Sequence, residues 1–183
     1  MANICVYLGS RRGENPDFMA AARHFGQCLA ERGHGLVYGG ASVGLMGALA
    51  DATMAAGGEV IGVMPHHLIE REQAHHGLTQ LIRVANMHER KSQMASHADA
   101  FVMLPGGIGT FEEFFESWTW RYLGLHDKPI GVLDTAGFYR PLLDFLDSTV
   151  AQGFLNADTR AAVVSATTPE TLLDQLEAAL LPA

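Results

Sequence analysis

The sequence predicts a single α/β domain built on a doubly wound, Rossmann-like parallel sheet, and three observations carry that prediction. Short apolar runs alternate with helical patterns along the chain. Two glycine-rich segments each follow an apolar run directly and open a helical one. The 183 residues, 48% of them apolar, suffice for one well-buried core and fall short of two ordinary domains, so residues 1–183 are read as one unit.

Taken in order, apolar runs at residues 4–8, 35–38, 60–64, 100–104 and 129–133 read as strands, most of them buried on both faces because they show no polar alternation. Asn15-Pro16 starts a helix, with asparagine as cap and proline in the first turn, and the periodicity of residues 20–32 carries it to Gly33. Residues 45–56 end in the same manner at Gly57-Gly58. Further helices fit residues 87–96, 110–123, 139–152 and 169–180. In such sheets ligands bind beyond the carboxyl ends of the strands, so the loops there are where chemistry is sought.

Bulk properties exclude several function classes. No apolar stretch approaches the roughly 18–20 residues that cross a bilayer. The first residues have neither a basic lead-in nor a small-residue cleavage site, so the expected setting is cytoplasmic. Cys5 and Cys28 read as small buried apolar residues, not as a disulfide framework. A formal charge of -8 argues against nucleic acid or anionic membrane as partner, since both demand a broad basic surface. A small anion needs only one local positive pocket, which directs attention to the few basic residues, among which lysine appears only as Lys91 and Lys128.

The first glycine loop, Tyr-Gly-Gly-Ala-Ser-Val-Gly-Leu-Met-Gly at residues 38–47, matches neither the dinucleotide fingerprint nor a Walker loop. Its bland reading is a tight turn at Gly39-Gly40 with close helix packing at Gly44 and Gly47. The second, Pro-Gly-Gly-Ile-Gly-Thr at residues 105–110, offers unpaired backbone N–H groups at a helix start, where glycines admit an anion without a Cβ clash. Thr110 there would cap the helix or bond the anion. Two such loops on one sheet edge point to a phosphorylated ligand.

In the helix that follows, Phe111, Phe114, Phe115, Trp118 and Tyr122 form one stripe expected to face the core. Glu113 falls opposite that stripe with Ser117 and Trp120, so it is expected to look away from the domain's own core, toward a pocket near a second subunit. Glu112 reads as a solvated charge favoured by the helix dipole. In the segment 86–94, Arg90 and Lys91 share the stripe of Met87 and Met94. Charges on an inward stripe need partners, and a phosphate or a carboxylate such as Glu113 would serve; the alternative is an outward pair whose stems lie over the methionines. The pairs His66-His67 and His75-His76 lack the spacing of a metal site, no serine sits in a nucleophile elbow, and Glu70 and Glu72 read as surface charges. No metal is expected.

With these segments in view, the chain resembles the Lonely Guy family of cytokinin-activating phosphoribohydrolases. The shared marks are Pro-Gly-Gly-x-Gly-Thr-x-x-Glu at residues 105–113, Tyr-Gly-Gly-x-x-x-Gly-Leu-Met-Gly at 38–47 and Met-His-x-Arg-Lys at 87–91, with Gly-Leu-His-Asp-Lys-Pro at 124–129. The chain departs from the family pattern at Ala41 and Arg11. The resemblance implies hydrolysis of the N-glycosidic bond of a nucleoside 5′-monophosphate, adenosine-type and N6-modified or plain, without a cofactor, in a homodimer. It makes Arg90 and Glu113 the catalytic pair. It gives Lys91, Gly106, Gly107, Gly109 and Thr110 to the phosphoribosyl part, with Glu72, Met87, Thr119, Gly40 and Ser10 as further substrate contacts. Members often carry a lysine decarboxylase label, which a chain with only Lys91 and Lys128 does not support. The second reading on the same fold is a nucleotide or phosphorylated-cofactor carrier without turnover, which would need the loop but not the carboxylate.

Overall fold

The computed structural model describes residues 1–69 and 73–181. The described residues form seven strands and seven α-helices, in the order β1 (Asn3–Tyr7), α1 (Pro16–Glu31), β2 (Gly35–Tyr38), α2 (Gly44–Ala55), β3 (Val60–Pro65), β4 (Gln80–Val84), α3 (Met87–His97), β5 (Ala100–Met103), α4 (Ile108–Tyr122), β6 (Ile130–Leu133), α5 (Arg140–Ala151), α6 (Ala157–Ala161), β7 (Val163–Ala166) and α7 (Pro169–Leu180). Every strand pairing is parallel, in the order β4-β3-β2-β1-β5-β6-β7. This is the Rossmann-like α/β architecture that the sequence predicts.

The five expected strands are present with ends within one or two residues. Two more close the sheet at its edges. β4 carries Gln80 and Arg83, both exposed, and β7 is four residues long with Ser165 in it, so neither shows the continuous apolar run that marks an internal strand. The short helix α6 was likewise too brief for a periodic pattern.

Alternation along β1 divides the core. Ile4 and Val6 join one layer with Phe25 and Leu29 of α1, Leu45 and Leu49 of α2 and Leu172 and Leu176 of α7. Cys5 and Tyr7 join the other with Met94 of α3, Phe114 and Trp118 of α4 and Leu146 of α5. Each fully buried side chain of this size contributes roughly 1.5–3 kcal/mol relative to exposure. Asn15 caps α1 as expected, its side chain accepting from the Asp17 N–H at 2.9 Å with Pro16 in the first turn. Both cysteines are free and buried.

The chain winds outward from β1 to β4 in one direction and from β5 to β7 in the other, so the reversal lies between β1 and β5. A crevice opens at such a reversal because the two crossovers leave the sheet on opposite faces. The N–H of Gly9, after β1, donates to the carbonyl of Pro105, after β5, at 3.0 Å, and ties the two loops together there.

Candidate active site

At this reversal lies a cavity of about 630 Å³, a size that takes a nucleotide. The loop after β1, Gly39 after β2, Met87 and Arg90 of α3, and the segment from Pro105 to Glu113 all contribute to its wall.

The glycine loop enters α4 through Gly107, which caps the helix without any side-chain bond. The helical ladder begins with the Phe111 N–H to Gly107 O at 3.1 Å, so the N–H groups of Ile108, Gly109 and Thr110 lack helical partners and face the cavity end. No acidic residue occupies the first turn. An anion is therefore favoured at this terminus by both donors and dipole. Thr110 does not cap the helix, contrary to one expectation. It lies in the third helical position, 4% exposed, and its hydroxyl packs under Gly106. A Cβ on Gly106 would lie 2.1 Å from Thr110 Oγ1 and 2.9 Å from the Gly9 nitrogen, so only glycine fits where the two loops meet.

Arg90 is 5% exposed. Asn86 fixes the start of its helix by accepting from the Glu89 N–H at 2.9 Å, while Glu89 reaches back to the Ala85 N–H at 2.8 Å. The Arg90 side chain then reaches two neighbouring strands, donating from Nε to Val63 O within β3 at 3.0 Å and from Nη2 to Gly39 O just past β2 at 2.7 Å. Burying a guanidinium is costly unless its donors are met, and these carbonyls meet two of them. Gly39 is needed for the approach, since a Cβ there would stand 2.3 Å from Nη2. The inward placement expected for Arg90 is what the fold has.

Glu113 stands in the second turn of α4 on the cavity wall, half-buried. Its charge acts on the second core layer. The Tyr7 hydroxyl is pushed well above its usual pKa, chiefly by burial, with Cys5 and Glu113 adding to the shift while the bond to Ser117 opposes it. Tyr7 Oη and Ser117 Oγ are 2.8 Å apart, and Ser117 is 2% exposed. This corrects the helical phase read from the sequence. The Ser117 face looks onto β1 of its own domain, and the core sector of α4 is Phe114, Ser117 and Trp118. Phe111 and Phe115 are half-buried and Tyr122 is 61% exposed. Apolarity alone assigns serine outward, but a serine that meets a buried tyrosine hydroxyl belongs inside.

Lys91 points elsewhere than expected. Its Nζ lies 2.6 Å from Glu112 Oε1 and 3.0 Å from Glu116 Oε2, and it is not part of the cavity wall. Burial opposes its charge, but the bonds to Glu112 and Glu116 outweigh that and hold its pKa above the ordinary lysine value. Glu112 is thus paired, not merely solvated, and it borders the cavity.

Ser10, Met87, Gly106, Gly107, Gly109 and Thr110 all line the cavity. Gly40 does not: its carbonyl accepts from the His75 N–H at 2.8 Å, and the space over its Cα is filled by Leu81, Val63 and Met64. Thr119 donates to Phe115 O at 2.6 Å and borders a separate apolar groove of about 330 Å³ with Trp118, Tyr122 and Phe154. Glu70 and Glu72 lie outside the described residues. Sequence reasoning missed Tyr7, Arg11, Phe18 and Phe138 as wall residues. Phe18 and Phe138 meet edge to face at 5.2 Å, a contact between distant segments that no local pattern signals. Arg11 could have been singled out, as a cation in the turn directly after a strand. His75 is held 2.7 Å from Asp51 as a structural tie.

A family profile described as "Possible lysine decarboxylase" matches residues 46–176. The cytokinin riboside 5′-monophosphate phosphoribohydrolase LOG of Oryza sativa is 47% identical over 95% of this chain and 72% of its own length. A phosphoribohydrolase of the same description from Arabidopsis thaliana is 46% identical over 95% of this chain and 80% of its own. The chain belongs to this phosphoribohydrolase family. Among solved structures, the molybdenum cofactor carrier protein of Chlamydomonas reinhardtii superposes with a TM-score of 0.73 at 21% identity, covering 98% of both chains. The molybdenum cofactor binding protein of Rippkaea orientalis gives 0.72 at 20%, again covering 98% of both. At such identity the likeness is one of fold.

The decarboxylase wording of the family profile finds no lysine to carry it here. A Schiff-base lysine must face the substrate as a free amine. Lys91 is held charged by two carboxylates. Lys128 donates to Ala95 O at 2.7 Å and lies 5.9 Å over the Phe101 ring. Neither reaches the cavity.

Proposed function

We propose that the chain hydrolyses the N-glycosidic bond of adenosine 5′-monophosphates, N6-modified ones included, to a free base and ribose 5-phosphate. The observation that carries this reading is the convergence of Arg90, Glu113 and the amino end of α4 on one cavity at the sheet reversal. The phosphate sits at the N–H groups of residues 108–110, where donors and dipole favour a dianion. The ribose then extends toward Glu113, one turn further along the helix.

As the bond from C1′ to the base breaks, its electron pair leaves with the base nitrogen and the sugar gains oxocarbenium character. The Glu113 carboxylate stabilises that charge and orients or deprotonates the water whose oxygen forms the new bond to C1′. The proton released from water ends on the base. Arg90, fixed by two backbone carbonyls, contributes a stationary positive charge beside the reacting groups. Preorganisation of this kind requires no rearrangement during the reaction. The relatives named above support the same reaction class.

Incubation of the purified protein with AMP and with isopentenyladenosine monophosphate, followed by chromatographic assay of free base, tests the proposal. Release of adenine or isopentenyladenine with stoichiometric ribose 5-phosphate is expected. Tight binding with both substrates intact would favour a carrier instead.

The assembly proposed is a homodimer. The groove beside Phe115, Trp118 and Tyr122 is apolar, and Phe154 at its rim is 91% exposed, so a second copy is the cover that suits it. Light scattering that returns a monomer mass would overturn this. No described helix is long and apolar enough to cross a membrane. A cytoplasmic setting, where nucleoside monophosphates are found, suits the proposed substrate.

A further inference from the structure

Away from the cavity, α1 and α7 bring together three side chains of different chemistry. His24 and Cys28 stand four residues apart on α1, which places both on one face of the helix. Glu170 projects from the first turn of α7. His24 Nε2 lies 2.5 Å from Glu170 Oε1, and Cys28 Sγ lies 3.8 Å from His24 Nε2 and 3.8 Å from Glu170 Oε1. One nitrogen, one sulfur and one oxygen thus converge on a single point, all within 4.8 Å of one another. No metal is expected from the sequence, which reads Cys28 only as a buried apolar residue. The geometry points to a zinc-class metal site between α1 and α7, with His24, Cys28 and Glu170 as three ligands and water as the fourth.

Four considerations support the assignment. The edges of a tetrahedral site with zinc–sulfur and zinc–nitrogen bonds of ordinary length are about 3.4–3.6 Å. The two sulfur distances of 3.8 Å need to close by only a few tenths of an ångström, and the His24–Glu170 contact must open by roughly 1 Å, which two half-exposed side chains allow (49% each). The donor set is one for a borderline-soft ion, since calcium and magnesium require oxygen alone. Local charge favours a cation: Glu31, Glu170, Asp174 and Glu177 lie along this seam against Arg32, which Asp174 at 2.7 Å and Glu177 at 3.2 Å already neutralise. Finally, access is one-sided. Cys28 is 5% exposed beneath the two half-exposed ligands, which leaves the outer coordination position to solvent.

Without a metal the Cys28 thiol is pushed up to about 11, chiefly by burial and then by the Glu170 charge, so it stays protonated and donates to that carboxylate. Binding of the ion displaces this proton to solvent, and occupancy therefore rises with pH. The ion would join α7 to α1, whose Phe18 borders the catalytic cavity, but it would stand outside the reaction itself.

Cobalt(II) is the probe. Tag-free, reduced, metal-free protein titrated with Co²⁺ is expected to develop a thiolate-to-cobalt charge-transfer band and the visible bands of a tetrahedral ion, saturating at one ion per chain and bleached by Zn²⁺. Cys28→Ser loses the charge-transfer band, whereas Cys5→Ser keeps it. His24→Gln, at a half-exposed position that does not threaten folding, weakens binding at least tenfold. Zinc at about 100 times its dissociation constant should raise Tm by roughly 5–10 °C in wild type and not in Cys28→Ser. Absence of the charge-transfer band in wild type overturns the site, as does an octahedral spectrum or a band that survives in Cys28→Ser.

Discussion

Arg90 Nη2 donates a 2.7 Å hydrogen bond to the carbonyl of Gly39, a residue whose missing Cβ is what lets the guanidinium reach it. The pair joins a crossover helix to a strand end 51 residues earlier. Arg90→Lys keeps the charge but loses the planar fork and leaves the Val63 and Gly39 carbonyls without this donor. We expect a loss of about 2–4 kcal/mol in urea unfolding. We also expect at least a hundredfold drop in kcat/KM, measured by base release. A wild-type rate would place the guanidinium outside the chemistry.

Glu113→Gln removes the carboxylate charge with little change of shape. Turnover is expected to fall by about 10²–10⁴, the range of a lost general base or charge stabiliser, while affinity for AMP changes less than a few-fold. Isothermal titration and single-turnover kinetics separate the two effects, and undiminished turnover would remove Glu113 from the mechanism.

Lys91 supplies a sharper test because the family resemblance and the geometry describe it differently. Lys91 neutralises Glu112, and Glu112 borders the cavity. Lys91→Met should therefore expose an anion to an anionic substrate and raise KM several-fold, with kcat nearly unchanged. Adding Glu112→Gln should restore KM. A direct Lys91–phosphate contact predicts no restoration, so the double-mutant cycle decides.

His126 sets one pH dependence of stability. Its Nε2–H donates to Ser117 O at 3.0 Å, and its Nδ1 accepts from the Lys128 N–H at 3.1 Å, an arrangement only the neutral ring can make. Burial leads the lowering of its pKa, and the Ser117 bond opposes it. The unfolded chain then takes up the proton first as pH falls below about 6.5. The stabilisation is complete above that value and is lost as pH falls through the lower folded value. The urea midpoint should drop from pH 7.5 to 5.5, and less so in His126→Gln. Equal slopes would refute the assignment. Glu170 and Glu177, both held below the usual carboxylate value, act in a separate and more acidic window.

Gly106→Ala places a methyl group 2.1 Å from Thr110 Oγ1 and 2.9 Å from the Gly9 nitrogen. Either Thr110 or the Gly9–Pro105 link must yield. AMP affinity should weaken at least tenfold, whereas Gly107→Ala, where nothing stands within 4 Å, should be far milder. Equal effects would mean that the loop contributes chemistry rather than shape.

What the sequence made legible follows the physics of burial. Internal strands such as β2 and β5 are apolar at every position and could be read directly, while the edge strands β4 and β7 mix polar residues into short runs and could not. Arg90 was legible because Met94, one turn on, fixes the inward face of α3. The orientation of α4 was not, because the burial of Ser117 depends on Tyr7, 110 residues away. The partners of Gly40, Lys91 and Thr119 were not legible either, since the Gly40 carbonyl bonds to His75 and Lys91 to Glu112, both distant in sequence, and Thr119 bonds back to Phe115. The meeting of His24 and Cys28 with Glu170 joins two helices from opposite ends of the chain and leaves no local signature.

The Gly9–Pro105 hydrogen bond at the sheet reversal has a kinetic counterpart. The groups around the cavity arrive from residues 9, 39, 90, 106 and 113, so the complete wall draws on both halves of the sheet. Contacts so distant in sequence are slow to form, and the pairing of β1 with β5 spans the same distance. Recovery of activity during refolding should therefore coincide with recovery of the whole domain, making substrate turnover a reporter of complete folding rather than of any single loop.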